Sequence, residues 1–543
     1  MASVSALSTV PKAGLSYARG DWSEPVLERT IGDALRAAAA EWGARTALVD
    51  GCANTGPRRR WSYTSLLQAA EQAACVLLRH FAPGDHIAIC AANSPEWVIA
   101  EFGAALAGIV LVTANPTLQS RELRHLLSHS KASGILVQPE HRGRDLLAMI
   151  ADIRSGLRCL REVISLAEWS GIVWSAQHDS RLPPVSAGDV AQIQYTSGTT
   201  GLPKGALLTH RGLSNNARFY ARTIRTGPDD VWINPMPLFH TAGCALATLG
   251  ALQTGGTHVL AEVAEPATLL ELMESERGTH LLCVPTMLLR MLDYPDMSSR
   301  DLSSWRLCTL GGAPVAPELV RRARERIGVE VAIGYGQTEA SPYLTHTLPK
   351  DPNPEWISTV GRPLPRTEIR IADPLSGGIL PLEFIGEIQA RSYGVMRGYF
   401  EDTAATAAAL DREGWLRTGD LGSMDQHGYV RVQGRLKDMI IRGGENIYPR
   451  EIEDVLFTHP YVANIAVIGV PDPEWGEAVA AFVQARPGTD PNGPTLEAFC
   501  RLHMAPHKVP RHWHFVPRLP QTASGKIQKF LLREEASRTP DTA

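Results

Sequence analysis

The sequence predicts an α/β protein, a large domain of parallel sheets covered by helices followed by a small α+β domain. Three observations predict it. Short apolar runs alternate with helical periodicity from Ala47 to beyond Val137. At 543 residues the chain exceeds what one hydrophobic core usually serves. Past about residue 435 the pattern changes to helix, two strands, helix, within about 100 residues, a normal domain size.

The elements follow in order. Thr30 to Trp42 reads as a helix, with Ile31, Leu35, Ala38 and Ala39 at helical spacing and Thr30 as its cap. Ala47-Leu-Val49 is a strand, and Cys52 to Arg60 a surface hairpin. Tyr63 to Phe81 is a helix, His86 to Cys90 a strand, and the run from Pro95 to Ala107 a long apolar helix. Ile109 to Val112 and Gly134 to Val137 are strands again. Thr209 caps a helix running to Ile224, which leaves His210 and Arg211 as polar surface at its start. Val231 to Pro235, Leu307 to Leu310, Glu330 to Ile333 and Gly386 to Ala390 are further strands. Past the change in pattern, Tyr448 to Thr458 and Leu496 to Met504 are helices, and Ile465 to Val470 and Ala478 to Gln484 strands.

Composition removes several functions. Hydrophobic residues make up 44% and charged residues 20%, as in ordinary globular domains. A net charge of −4 offers no basic field for nucleic acid. The eight cysteines are scattered with no C-x-x-C pair, which points to free thiols in a reducing compartment. Met1 to Pro11 lacks the charged-then-apolar pattern of a signal peptide, and no apolar run reaches the ~18 residues of a membrane span. A cytoplasmic location is expected.

Chemistry gathers first at Tyr195-Thr-Ser-Gly-Thr-Thr-Gly-Leu-Pro-Lys-Gly205. Three glycines, four hydroxyls and a lysine follow an apolar strand, and such a loop can cradle a polyanion with backbone N–H groups, hydroxyls and an ammonium. It is not a Walker A loop, because Gly205 rather than Ser or Thr follows Lys204, and the glycine spacing is not that of a dinucleotide fingerprint. His240 follows a strand end, where open α/β sheets bind ligands. Gly311-Gly-Ala313 and Gly334-Tyr-Gly336 close two other strands, letting a flat ring approach the backbone, with Tyr335 available for stacking. Glu339 beside Thr338 is a hard oxygen donor suited to Mg²⁺ that also touches phosphates. Asp420 follows a glycine turn and can grip ribose hydroxyls.

Taken together, Tyr195 to Gly205, Gly334 to Glu339, Arg417 to Asp420, Gly434 to Glu445 and Ser524 to Lys526 occur in the order and at the separations of one family. The chain resembles the adenylate-forming superfamily of acyl-CoA synthetases, adenylation domains and luciferases, over about Thr30 to Lys529. Ser16 to Gly20 and Pro235 to Gly243 look most like its medium- and longer-chain fatty acyl-CoA synthetase branch. The resemblance implies an N-terminal domain, 1–434, with a smaller β-barrel-like part, a hinge at 435–437, and a mobile C-terminal domain, 438–543. It implies two steps: a carboxylate attacks the α-phosphorus of MgATP to give acyl-AMP and pyrophosphate, then a thiol, usually coenzyme A, displaces AMP.

By the same resemblance, Thr196, Ser197, Gly198, Thr199, Thr200 and Lys204 hold the outer phosphates. Gly311, Gly312, Ala313 and Tyr335 form the adenine pocket, with Gly334 and Gly336 also among the residues that bind the nucleotide. Thr338 and Glu339 contact the α-phosphate and, with Thr196, Mg²⁺. Asp420 and Arg435 grip the ribose, and Lys526 bridges carboxylate and α-phosphate as a compact charge on a long stem. Lys437 is the hinge of a domain alternation between the half-reactions, and Gly443 and Gly444 line the thiol tunnel. His240 gates the acyl pocket, with Gly243 and Cys244 beyond it. The expected partners are ATP, coenzyme A, a small carboxylic acid or other small anion, and a second copy of the chain. The resemblance extends equally to superfamily members with another acceptor, such as a carrier protein or an amine, and to the diazotases, which activate nitrite toward an arylamine. A non-enzymatic nucleotide sensor is disfavoured by the joint presence of Lys526, Glu339 and Asp420.

Overall fold

The structure, a computed structural model, describes residues 14–52, 57–175, 181–196, 203–351, 355–521 and 527–538. It groups into two compact units. One comprises Ala18–Ile369 and Ala390–Arg417; the other is built mainly from Arg370–Gln389 and Thr418–Ala543.

Two parallel-rich sheets dominate. One has six strands, in the order Lys204–Thr209, Val190–Thr196, Val110–Ala114, His86–Cys90, Gly134–Val137, Glu162–Ser165, parallel except for the antiparallel edge at Lys204–Thr209. The other has nine, and its six inner strands, Glu330–Gly336, Leu307–Leu310, His280–Cys283, Val231–Asn234, Thr257–Leu260 and Thr46–Asp50, are all parallel. A five-stranded sheet, Tyr17–Arg19, Thr367–Ala372, Gly386–Ser392, Leu416–Met424 and Val430–Arg435, is the smaller β part. The last 100 or so residues carry a further sheet around the long hairpin Val462–Asp472 and Gly476–Ala485, as a small α+β domain requires.

Local chemistry sets these elements. The first helix, Ile31–Trp42, starts at Thr30, whose hydroxyl accepts from Asp33 N–H at 2.9 Å while the Asp33 carboxylate accepts from Thr30 N–H at 3.1 Å. That reciprocal box satisfies two donors no helix can satisfy internally. The helix Pro95–Ala107 is apolar almost all round and is buried along nearly its whole length, as such a helix must be. Trp97, Phe102 and Leu106 pack there with Leu35, Leu77 and Leu213 in the main core. Among the described residues no helix is long and apolar enough to cross a membrane. All eight cysteines are free thiols.

Three features depart from what local rules give. Lys204–Thr209 is a strand, so the glycine-rich segment joins the two arms of a hairpin in which Thr196 pairs with Lys204. Ala242–Leu249 is a π-helix, a rarer geometry than the α-helix. His210 is not surface. It is 1% exposed, and its Nδ1 accepts from Ile31 N–H at 3.4 Å, because the start of its helix packs against the start of the first one. Arg211, one residue on, is on the surface as expected and pairs with Glu28 at 3.0 Å.

Burial gives this unit a pH signature. It lowers the imidazole of His210 and of His346 to about 4, and those of His258 and His280 to about 3. The unfolded chain, with histidines near their ordinary ~6.5, therefore binds more protons than the folded one below that pH, so stability is whole above ~6.5 and falls as pH drops toward the folded values. Urea midpoints are expected to fall steeply between about pH 6.5 and 4.5, each histidine contributing up to about 1.4 kcal/mol per pH unit. A flat midpoint across that window contradicts the assignment.

Candidate functional site

The nine-stranded sheet ends two neighbouring strands side by side, with Leu310 in register with Ile333. Gly311 follows the first strand; Gly334 and Gly336 lie at the end of the second. A Cβ on Gly311 would stand 2.5 Å from the Tyr343 hydroxyl, on Gly334 2.5 Å from Tyr343 Cζ, and on Gly336 1.9 Å from Pro342 O. The close strand Tyr343–His346 therefore demands these glycines, whatever ligand lies above them. Tyr343 is itself pinned, its backbone exchanging bonds with the Asn216 amide at 2.7 and 3.1 Å. Gly312 sits at φ +75°, a left-handed conformation that favours glycine. Ala313 and Tyr335 are half-buried beside them.

Beyond Gly336 the chain makes a 3-10 turn, Thr338–Ala340, with Thr338 half-buried and Glu339 buried. The Glu339 carboxylate is oriented by two hydroxyls that both donate to Oε1, Thr196 at 3.3 Å and Tyr399 at 2.8 Å. No hydrogen bond reaches its Oε2 among the described residues. Burial, then the Glu339 charge, raises the Tyr399 phenol well above its ordinary value, so it stays a donor. The Lys204 ammonium lies 5.2 Å from the centre of the same ring, in cation–π range. Strand end, turn and hairpin thus bring Thr196, Lys204 and Glu339 together. Ser197, Gly198, Thr199, Thr200 and Lys526 lie outside the described residues.

Tyr399 was not among the expected site residues. Its only signal is an aromatic pair after Gly398, which surface or core would explain equally. It is carried there by Arg397–Phe400, whose backbone bonds to Gly205 and Leu207 tie it to the strand that starts at Lys204.

His240 is half-buried, and its carbonyl accepts from Gly243 N–H at 2.9 Å and Cys244 N–H at 3.1 Å. A Cβ on Gly243 would lie 2.3 Å from Pro237 O, so the chain can turn here only with glycine. Cys244 is fully buried, with Sγ 3.3 Å from Gln194 Nε2 and 3.5 Å from Gln192 Oε1. Gln192 in turn donates to Glu101 at 2.7 Å, and burial holds that carboxyl far above its ordinary range, hence neutral. Cys244 therefore belongs to a buried polar chain.

In the second unit, Asp420 lies within a strand rather than a turn, directly opposite Arg435. The Arg435 Nε stands 3.2 Å from the Asp420 carboxylate. Lys437 follows in the short turn Leu436–Asp438, and Asp438 is held by Arg533 at 2.7 Å. Gly443 and Gly444, at φ +58° and +85°, form the two-residue turn between Ile440–Arg442 and Glu445–Ile447. Two positive φ values in a hairpin turn favour glycine at both places.

Known proteins resemble this chain over nearly its whole length. Residues 35–400 match the AMP-binding enzyme family, and residues 451–526 match the AMP-binding enzyme C-terminal domain. A Bacillus subtilis (strain 168) protein named as an acyl-CoA synthetase, YngI, is 37% identical over 94% of this chain and 97% of its own. The mitochondrial medium-chain acyl-CoA ligase ACSF2 of Macaca fascicularis is 34% identical over 97% of this chain and 90% of its own. Among solved structures, ATP-bound MatB from Rhodopseudomonas palustris superposes with a TM-score of 0.85 at 30% identity, covering 93% of this chain and 98% of its own.

Proposed function

The chain belongs to the AMP-binding enzyme family and is an acid–thiol ligase of the acyl-CoA synthetase kind, and from that premise we propose that its acid is a medium-chain fatty acid, activated with MgATP and passed to coenzyme A. The reaction adenylates a carboxylic acid and then forms the CoA thioester. In the first step a carboxylate oxygen bonds to the α-phosphorus, and pyrophosphate leaves with the electrons of the broken P–O bond. In the second, the thiol sulfur bonds to the acyl carbon, AMP leaves with the C–O electrons, and the thiol proton is released.

The observation that carries this reading is the oriented carboxylate of Glu339, with Thr196 and Lys204 around it and the glycine shelf of Gly311, Gly334 and Gly336 at the strand ends. On this reading the shelf takes adenine and Asp420 with Arg435 takes the ribose. A lone carboxylate and a hydroxyl suit Mg²⁺, which binds through one or two carboxylates and carries substrate phosphates as its other ligands. Glu339 and Thr196 would hold that ion, which neutralises phosphate charge. Thr338 lies by the α-phosphate, with Lys204 and the Ser197–Thr200 segment on the outer phosphates. Lys526 bridges the two anions in the first step. Lys437 is the hinge between half-reactions, Gly443 and Gly444 border the thiol path, and His240 gates an acyl pocket that includes Gly243 and Cys244. The free thiols fit a reducing, cytoplasmic setting.

The test follows pyrophosphate, AMP and thioester separately with ATP, coenzyme A and a series of acids. Expected are all three products, with the highest kcat/KM at medium chain length. Pyrophosphate without thioester assigns another acceptor, and pyrophosphate driven by nitrite alone assigns a diazotase. A maximum on short or aromatic acids overturns the fatty-acid assignment.

A further inference from the structure

We propose that Tyr399 is a positioning residue for the first half-reaction, its hydroxyl setting the Glu339 carboxylate and its ring seating the Lys204 ammonium. The proposal rests on the reading of Glu339 and Lys204 as contacts for MgATP. One side chain meets both groups: the phenol donates to Glu339 Oε1 at 2.8 Å, and its ring centre lies 5.2 Å from Lys204 Nζ.

The geometry is directional. Thr196 and Tyr399 converge on the same carboxylate oxygen, so the plane of the carboxylate is fixed and Oε2 keeps its lone pairs for a cation. A rotatable carboxylate would spread those lone pairs over several orientations. The ring does the same for the ammonium: Lys204 has a long flexible stem, and an aromatic face beneath its tip narrows where the charge sits.

Tyr399 is also well supported. Its N–H donates to the Thr406 hydroxyl at 2.8 Å, and it bridges to Ala206 in the strand that begins at Lys204. The backbone of Glu339 is tied to the same segment, since Met396 N–H donates to Glu339 O at 2.8 Å. The segment 396–400 therefore sets both backbones, and Tyr399 sets both side chains. A merely structural tyrosine at this place would not need its hydroxyl, because burial of the ring alone would hold the segment.

The test separates hydroxyl from ring with Tyr399→Phe and Tyr399→Leu. Tyr399→Phe loses the bond to Glu339 but keeps the ring. It is expected to lower kcat for pyrophosphate release about tenfold, and to weaken Mn²⁺ binding to the enzyme–ATP complex, read by electron paramagnetic resonance, by a similar factor, as for a hydrogen bond to a charged group. Its KM for ATP should stay near wild type. Tyr399→Leu loses the ring as well, and KM for ATP should rise by a further threefold or so, the scale of one cation–π contact. Both variants should turn supplied acyl-AMP into thioester at the wild-type rate, which also shows that they fold. Wild-type Mn²⁺ affinity and kcat in Tyr399→Phe, or equal KM for ATP in the two variants, overturns the proposal. Glu339→Gln with an unchanged Mn²⁺ affinity removes its premise and overturns it too, and that result is told apart because it arises without touching Tyr399.

Discussion

Lys526→Ala is expected to stop pyrophosphate release while thioester formation from supplied acyl-AMP continues. The first step brings a carboxylate against a triphosphate, two anions whose repulsion is greatest in the transition state. A positive charge placed between them acts only there, and losing such a preorganised charge costs about 10²–10³ in rate. The second step has no such pair, because the acyl group is already esterified to AMP and the attacking thiol meets a single phosphate. The near neighbour Lys529 supplies the control. Its ammonium is taken up by Glu453 at 2.6 Å, so Lys529→Ala should leave both half-reactions close to wild type. Equal loss of both half-reactions in Lys526→Ala refutes the assigned role.

Gly336→Ala carries the second large effect, here on the folded structure as well as the chemistry. The added methyl would fall 1.9 Å from Pro342 O, and the obstacle is backbone, which cannot swing aside as a flexible side chain can. The strand ending at Gly336 and its neighbour Tyr343–His346 must part, which draws Tyr343 off the Asn216 amide. A loss of about 2–4 kcal/mol is expected, at or above the usual cost of overpacking, since a strand pairing goes with it. Urea unfolding measures that loss. Adenylation should fall with it because Glu339 lies three residues on. Wild-type stability in Gly336→Ala contradicts the packing argument.

Much of this was legible in the residues. The Thr30 cap, the strand Gly134–Val137 and the helix beginning after Thr209 need only local rules, and local rules placed them within a residue or two. The strand Lys204–Thr209 was not legible, because Pro203 and Gly205 are turn residues by local rules. Pairing with Val190–Thr196 and the segment 396–400 overrides them. His210 failed for a similar reason: a histidine after a cap reads as surface, and only the neighbouring helix buries it. Asp420 and Arg435 came from their motifs, since fifteen positions apart they meet only through strand register. Tyr399 had no motif to announce it. Its partners, Lys204 and Glu339, are distant in sequence, and such a meeting is written in topology alone.

The π-helical stretch Ala242–Leu249 has a bearing on how relatives of this chain diverge. A π turn holds one residue more than the α turn it replaces. Deleting a single residue there can return the segment to α geometry with the later side chains of the helix kept on their faces. A length change of one codon is therefore absorbed within this segment, a change that comparing residues position by position would not register.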